Sequence, residues 1–246
     1  MINLFSRPKR YITPGGKVWK LYDDMSQQPH LLIAGETGSG KSVALNGVIH
    51  AILHRSPNSA QLILIDKKRV ELLAYRDIPH TVRYAVEDDE VVQALNAALA
   101  ITDRRYQDMA RQRIKKYDGS DVYVIIDELG DLLTTQKREY KPLLQRLCMV
   151  GRAARVHLIG CTQRPTASII SADITVNIDA RLALRTRNAQ DSRNIIGVAG
   201  CETLPKVGKG YYLTADGLTL HSIPYVTDEE LNELCDYWQS RRCYVA

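Results

Sequence analysis

PHLLIAGETGSGKSVALN, residues 29–46, changes character twice. From His30 to Ala34 it is an apolar run that ends at glycine, which reads as a buried strand. Gly35-Glu36-Thr37-Gly38-Ser39-Gly40-Lys41-Ser42 then fits GxxxxGK[ST], and Val43, Leu45, Val48, Ile49, Ile52 and Leu53 follow at helical spacing. A strand, a glycine-rich loop and a helix are the context in which this motif cradles phosphate. Glycines let the backbone approach closely, while successive N–H groups and the helix N-terminus meet negative charge. Residues Gly35, Glu36, Thr37, Gly38, Ser39, Gly40, Lys41, Ser42 and Val43 are therefore expected to hold a nucleotide. Lys41 reaches the β and γ phosphates, and Ser42 ligates Mg²⁺. A glycine-rich turn before a helix, with no ligand, is the alternative, and the strand–loop–helix context argues against it.

Outward from this point the same alternation continues. QLILID (Gln61 to Asp66), VYVIID (Val122 to Asp127), VHLIGCT (Val156 to Thr162) and RLALRT (Arg181 to Thr186) read as strands. Between them lie a long amphipathic helix over DDEVVQALNAALAITDRRYQDMARQRI, helical material from Lys141 to Ala154, and a short helix near Asp191 to Ile196. Continuously apolar strands alternating with helices indicate a mostly parallel sheet covered on both faces. GYYLTADGLTLHSI reads as a C-terminal hairpin turning at Asp216-Gly217, and Thr227 with Glu230 forms a capping box that opens a closing helix. Residues 1–27 mix Pro, Gly and charge and read as an N-terminal arm; residues 28–246 read as one α/β domain.

Two further strand ends carry chemistry. Asp127 and Glu128 follow an apolar strand whose tip is expected near the phosphate loop, with Asp127 in the Mg²⁺ shell and Glu128 polarising the attacking water. An acid pair capping the next helix is the plainer reading. Gln163, after the following strand, offers an amide able to touch the γ-phosphate, although by itself it is an ordinary strand-end residue.

Composition adds little. The formal charge of +5 and pI near 8.9 suit a polyanionic partner without requiring one. Five cysteines in no metal spacing read as reduced thiols, and no run approaches a membrane span or a signal peptide, so a soluble cytoplasmic protein is expected.

Four stretches in order, PHLLIAGETGSGKSVALN, LILIDKKRVELLAYRDIPH, VIIDELGDLL and GRAARVHLIGCTQRPTASII, resemble the FtsK/SpoIIIE DNA translocases of the wider FtsK/HerA group. The resemblance runs from about Pro29 to about Gly210; generic P-loop proteins share only the first and third stretches. It implies a RecA-like P-loop NTPase motor that hydrolyses ATP at the subunit interfaces of a homo-oligomeric ring, usually a hexamer, with double-stranded DNA through the centre. It puts the arginine that completes a neighbour's site eleven residues before the glutamine, at Arg152. A solvated helix-end cation is the alternative there. It places Arg164 and the segment to Ile174 beside DNA, with Arg193 near the channel; for Arg193, an ion pair with Asp191 is the competing reading.

Lys137, Arg138 and Lys141 read either as channel-lining residues or as a solvated loop. Lys67 stands where the family has proline, Thr175 and Ala189 where it often has lysine, and Arg155 where it has glycine. Arg155 is thus open to a DNA contact or an interface role. The membrane region, linker, preceding domain and winged helix of chromosome-segregation members are not visible here. The expectation is a motor for a plasmid, conjugative element or phage, recruited by a protein or membrane-channel partner. The competing readings are a coupling or packaging ATPase acting on single strands or nucleoprotein, and a nucleotide-gated scaffold.

Overall fold

The computed structural model describes residues 29–56, 59–135, 137–166 and 176–240, within which one eight-stranded sheet is the organising layer. Its strands are β1 (Leu31–Ala34), β2 (Gln61–Ile65), β3 (Thr81–Ala85), β4 (Val122–Ile126), β5 (Val156–Thr162), β6 (Ala180–Ala183), β7 (Lys209–Thr214) and β8 (Gly217–Ser222), in the order β3-β2-β4-β5-β1-β6-β7-β8. The pairings from β3 through β6 are parallel, and β7 and β8 add an antiparallel hairpin edge.

Side chains alternate between the two faces, as period-two strands require. Leu31, Ile33, Leu62, Leu64, Tyr123, Ile125, Ile159, Cys161 and Leu182 enter one core, with α1 (Lys41–Arg55) and α6 (Asp228–Gln239). Leu32, Ala34, Ile63, Ile65, Val122, Val124, Ile126, Val156 and Leu158 enter the other, beneath α2 (Asp88–Gln112), α3 (Leu129–Thr135), α4 (Lys137–Ala154) and α5 (Ala189–Ile196). Both faces are buried, which is why these strands read as unbroken apolar runs.

The expected α/β architecture, with its parallel sheet, hairpin and closing helix, is the one observed. Two details differ. β3 was not expected, because as an edge strand it presents half-exposed Val82 and exposed Arg83 and so lacks an apolar run. The hairpin turns at Ala215-Asp216 rather than Asp216-Gly217, with Gly217 at φ 119 opening β8. Lys137, Arg138 and Lys141 belong to α4, so the loop reading fails there. Residues 1–27 and the segment 167–175, where an arm and most of a pore loop are expected, lie outside the described residues.

Candidate nucleotide site

Parallel pairing sends the C-terminal ends of β1, β2, β4, β5 and β6 to one sheet edge. Ala34 is level with Thr162 on one side and Ala183 on the other, and Ile65 with Ile126. Everything attached to those ends converges: the glycine-rich loop, Asp66, Asp127-Glu128, Gln163 and Arg185.

Local geometry explains the loop's residue types. Gly38 and Gly40 have φ of 76 and 91, a left-handed conformation that favours glycine. Gly35 is required by proximity, since a Cβ there would lie 2.6 Å from Ser39 Oγ and 2.9 Å from Leu184 Cβ. Glu36 N–H donates to Arg185 O at 2.8 Å, and Arg185 Nε meets the Glu36 carboxylate at 3.2 Å, which fixes the loop to the end of β6. Lys41 Nζ donates to the Gly35 and Glu36 carbonyls at 3.0 and 2.8 Å, and burial holds its pKa below the usual lysine range. The loop thus surrounds a partly desolvated cation with its own carbonyls.

Across the cleft, the Glu128 carboxylate is buried and accepts the Gln163 backbone N–H at 3.2 and 3.3 Å, while the Gln163 amide oxygen accepts the Thr37 hydroxyl at 2.9 Å. The glycine-rich loop, the glutamine and the acid are therefore joined directly. Lys68 Nζ stands 3.9 Å from Glu128 and 3.6 Å from Asp131. Burial, then Glu71 and Asp66, push the Asp127 carboxyl up to about 7, and burial raises Glu128 as well. Asp66 is fully buried; one of its oxygens accepts Leu72 N–H at 3.0 Å, and the other has no partner among the described residues. Asp66, Asp127 and Glu128 gather carboxylate oxygens at the ends of β2 and β4, and Ser42 lies in the first turn of α1. Oxygen is the donor type that a hard divalent cation takes, but among the described residues no three His, Cys, Asp or Glu are placed to hold one.

The remaining expected site residues lie elsewhere. Arg152 is exposed in the last turn of α4, at the N-terminal end of β5. The seven residues of β5 separate it from its own chain's phosphate loop by roughly 20 Å. Arg164 and Arg193 are exposed on neighbouring segments, linked where Asn194 Nδ2 donates to Pro165 O at 2.9 Å. No ion pair joins Arg193 to Asp191 among the described residues; the Asp191 carboxylate takes the Asn188 amide instead. Arg155 is half-buried, and its guanidinium is engaged with Asp121 of its own chain.

Residues 14–124 match the FtsK/SpoIIIE family model. The match covers a little under half of the chain. Similarity extends further along the chain. The DNA translocase FtsK of Helicobacter pylori strain 26695 is 33% identical over 238 residues, covering 89% of this chain and 28% of that protein. The DNA translocase FtsK of Staphylococcus aureus strain Mu50 is 36% identical, covering 87% and 30%. The chain thus spans less than a third of the length of these FtsK relatives.

Among solved structures, the pCW3 conjugation coupling protein TcpA, in its monomer form with ATPγS, superposes with a TM-score of 0.79 at 23% identity, covering 89% of this chain and 66% of that one. The cytoplasmic domain of the Thermomonospora curvata type VII secretion ATPase EccC does so at 0.73 and 23% identity, covering 85% and 28%. These likenesses show the P-loop ATPase fold. Within this arrangement, the sequence left two connections unread. Arg185 ties down the loop, and its only signal was a charge ending a parallel strand, where α/β sheets build sites. The Thr37–Gln163 bond joins residues far apart in sequence and has no local signature.

Among the described residues, Cys148, Cys161, Cys201 and Cys235 are free and buried, and no helix is long and apolar enough to cross a membrane.

Proposed function

We propose that this chain is an ATP-driven motor that moves double-stranded DNA through a homo-oligomeric ring, a hexamer by analogy with its family. The observation that carries the reading is the convergence of Lys41, Asp127, Glu128 and Gln163 on one sheet edge, in a chain that resembles proteins named DNA translocase FtsK. In this reading residues Gly35 to Val43 wrap the triphosphate, and Lys41 exchanges its loop carbonyls for phosphate oxygens. Glu128, kept dry and slightly basic, orients the attacking water. Gln163, bonded to both Thr37 and Glu128, reports the state of the γ-phosphate to the segment that begins at Arg164. Ser42 and Asp127 would hold Mg²⁺, which when bound offsets charge on the β and γ oxygens.

Arg152 cannot reach its own loop, and so serves the next subunit as an arginine finger, a contribution on the order of 10³–10⁵ in rate. Arg164 and Arg193 contact the DNA backbone, and repeated around a ring they give salt-sensitive, sequence-independent binding. The motor acts in the cytoplasm, in DNA transfer or partitioning of a plasmid, conjugative element or phage, with recruitment by a protein or membrane-channel partner.

Steady-state ATP turnover measured against protein concentration, with duplex DNA, single-stranded DNA or neither, tests this reading. Cooperative turnover stimulated by duplex is expected. Preference for single strands would point to a coupling or packaging ATPase, and indifference to both DNA and concentration would point to a nucleotide-gated scaffold.

A further inference from the structure

At the sheet edge opposite the nucleotide site, five residues, Gly151 to Arg155, carry α4 into β5, and an unusual number of side chains and amides hold them. A helix ends with carbonyls that lack intrahelical donors. Here Val150 O accepts the Tyr106 hydroxyl at 3.1 Å, Arg152 O accepts Arg155 N–H at 3.3 Å, and Ala153 O accepts Tyr117 N–H at 2.9 Å. Arg105 Nη1 donates to both Ala154 O and Arg155 O, at 2.7 and 3.1 Å. Arg105 itself is buried on α2 with its guanidinium over the Tyr117 ring, 4.5 Å from the centroid.

The chain then turns through Arg155 at φ 56, left-handed for a residue with a side chain, and the Arg155 guanidinium is fixed by Asp121, its Nε at 2.9 Å. Asp121 also bonds His157 Nε2 at 2.8 Å, and His157 Nδ1 lies 2.8 Å from Pro29 O. At Gly151 there is no room for a side chain, since a Cβ would lie 2.3 Å from Val156 O. Burying arginine and aspartate costs free energy unless every donor and acceptor is matched. Nothing in this chain's own nucleotide site, roughly 20 Å away across β5, needs such an investment of charge. The one exposed group the segment presents is Arg152.

We propose that Arg105 and Asp121 are positioning residues for Arg152, forming a collar that fixes the backbone from which it reaches a neighbouring subunit's nucleotide. This rests on the reading that Arg152 acts in trans. A finger that must meet charge on a transferring phosphoryl group is useful only when its backbone is held to a fraction of an ångström, and a displacement of about 1 Å costs on the order of 100-fold. The collar supplies that constraint from α2, from the residue before β4 and from β5.

The test uses Arg105→Met, which keeps the long apolar stem, Asp121→Asn, and Arg105→Lys as the conservative variant, each in the full chain. Nucleotide binding, read with a fluorescent ATP analogue, should stay at the wild-type level. DNA-stimulated turnover should fall by about 10- to 100-fold in Arg105→Met and Asp121→Asn, and less in Arg105→Lys. Mixing either weak variant with Lys41→Ala chains should restore activity, because some intact nucleotide sites then border an intact collar and Arg152. Wild-type turnover in both variants overturns the proposal. So does a loss of turnover that mixing does not restore, which would assign the collar to folding. Arg152→Ala mixed with Lys41→Ala is the control: if that pair fails to recover while each chain folds, the shared-site reading falls and the positioning role falls with it.

Discussion

Lys41 is held by the loop that precedes it, whereas Glu128 is held from across the sheet by Gln163, and the two residues should fail differently. Lys41→Ala should lose nucleotide binding together with turnover. Glu128→Gln should retain ATP while turnover falls by about 100-fold or more, as expected when water is no longer polarised; equal loss of binding in both would contradict the assigned roles. A second prediction concerns protons. His30 is fully buried, its Nδ1 accepts Leu158 N–H at 2.9 Å, and burial with the nearby His157 lowers its pKa from 6.5 to about 3; burial lowers His50 to about 4. Between those values and 6.5 the unfolded chain binds protons that the folded chain refuses. Stability is therefore complete above about pH 6.5 and is lost as pH falls toward 4, by up to a few kcal/mol. Urea midpoints on either side of pH 6.5 measure the slope, and His30→Gln should flatten it. An unchanged slope would mean that other groups carry it.

At the scale of elements, α6 shows a boundary fully legible in sequence: Thr227 Oγ1 accepts Glu230 N–H at 3.1 Å and the Glu230 carboxylate accepts Thr227 N–H at 3.0 Å, the reciprocal box that the spacing announced. Thr227→Ala should cost about 1 kcal/mol in a denaturant titration. α4 shows the opposite case. Its start at Lys137 precedes the periodic stretch, and Pro142 is tolerated within its second turn. Gly151 carried no signal in sequence, yet α4 approaches β5 so closely there that Gly151→Ala should destabilise by about 1–3 kcal/mol despite alanine's better helix propensity. Alanine that left the midpoint unchanged or raised it would show that the two elements part easily. β3 was missed for a related reason: an edge strand with one exposed side gains its place by pairing with β2, which no short window of sequence displays.

At the scale of the whole molecule, the nucleotide loop and Arg152 occupy opposite edges of one sheet, which is why the proposed function gives Arg152 to the site of a second copy. The expected consequence is complementation. Arg152→Ala should bind ATP and turn over poorly alone, yet regain turnover when mixed with Lys41→Ala chains, which supply an intact Arg152. A mixture no more active than the two variants measured separately would argue that each chain works alone. The link from Thr37 through Gln163 to Pro165 and Asn194 runs from the glycine-rich loop toward the exposed Arg164 and Arg193, and in the proposed motor it is the path that would couple hydrolysis to DNA contact.

The amino-acid sequence by itself determined the strand–loop–helix unit, the apolar strands of a doubly covered sheet, the acids and the glutamine at strand ends, and the capped closing helix. These are local patterns, set by side-chain period, backbone freedom at glycine and hydrogen bonds a few residues apart. Only the tertiary structure decided the sheet order, the edge strand β3, the bond between Thr37 and Gln163, the anchoring of Glu36 by Arg185, and the pairing of Arg155 with Asp121. Each of these joins residues brought together only when non-local strands pair. A charge reads the same in sequence whether its side chain is exposed, as that of Arg152 is, or half-buried in an ion pair, as that of Arg155 is with Asp121, because its environment is supplied by the rest of the fold.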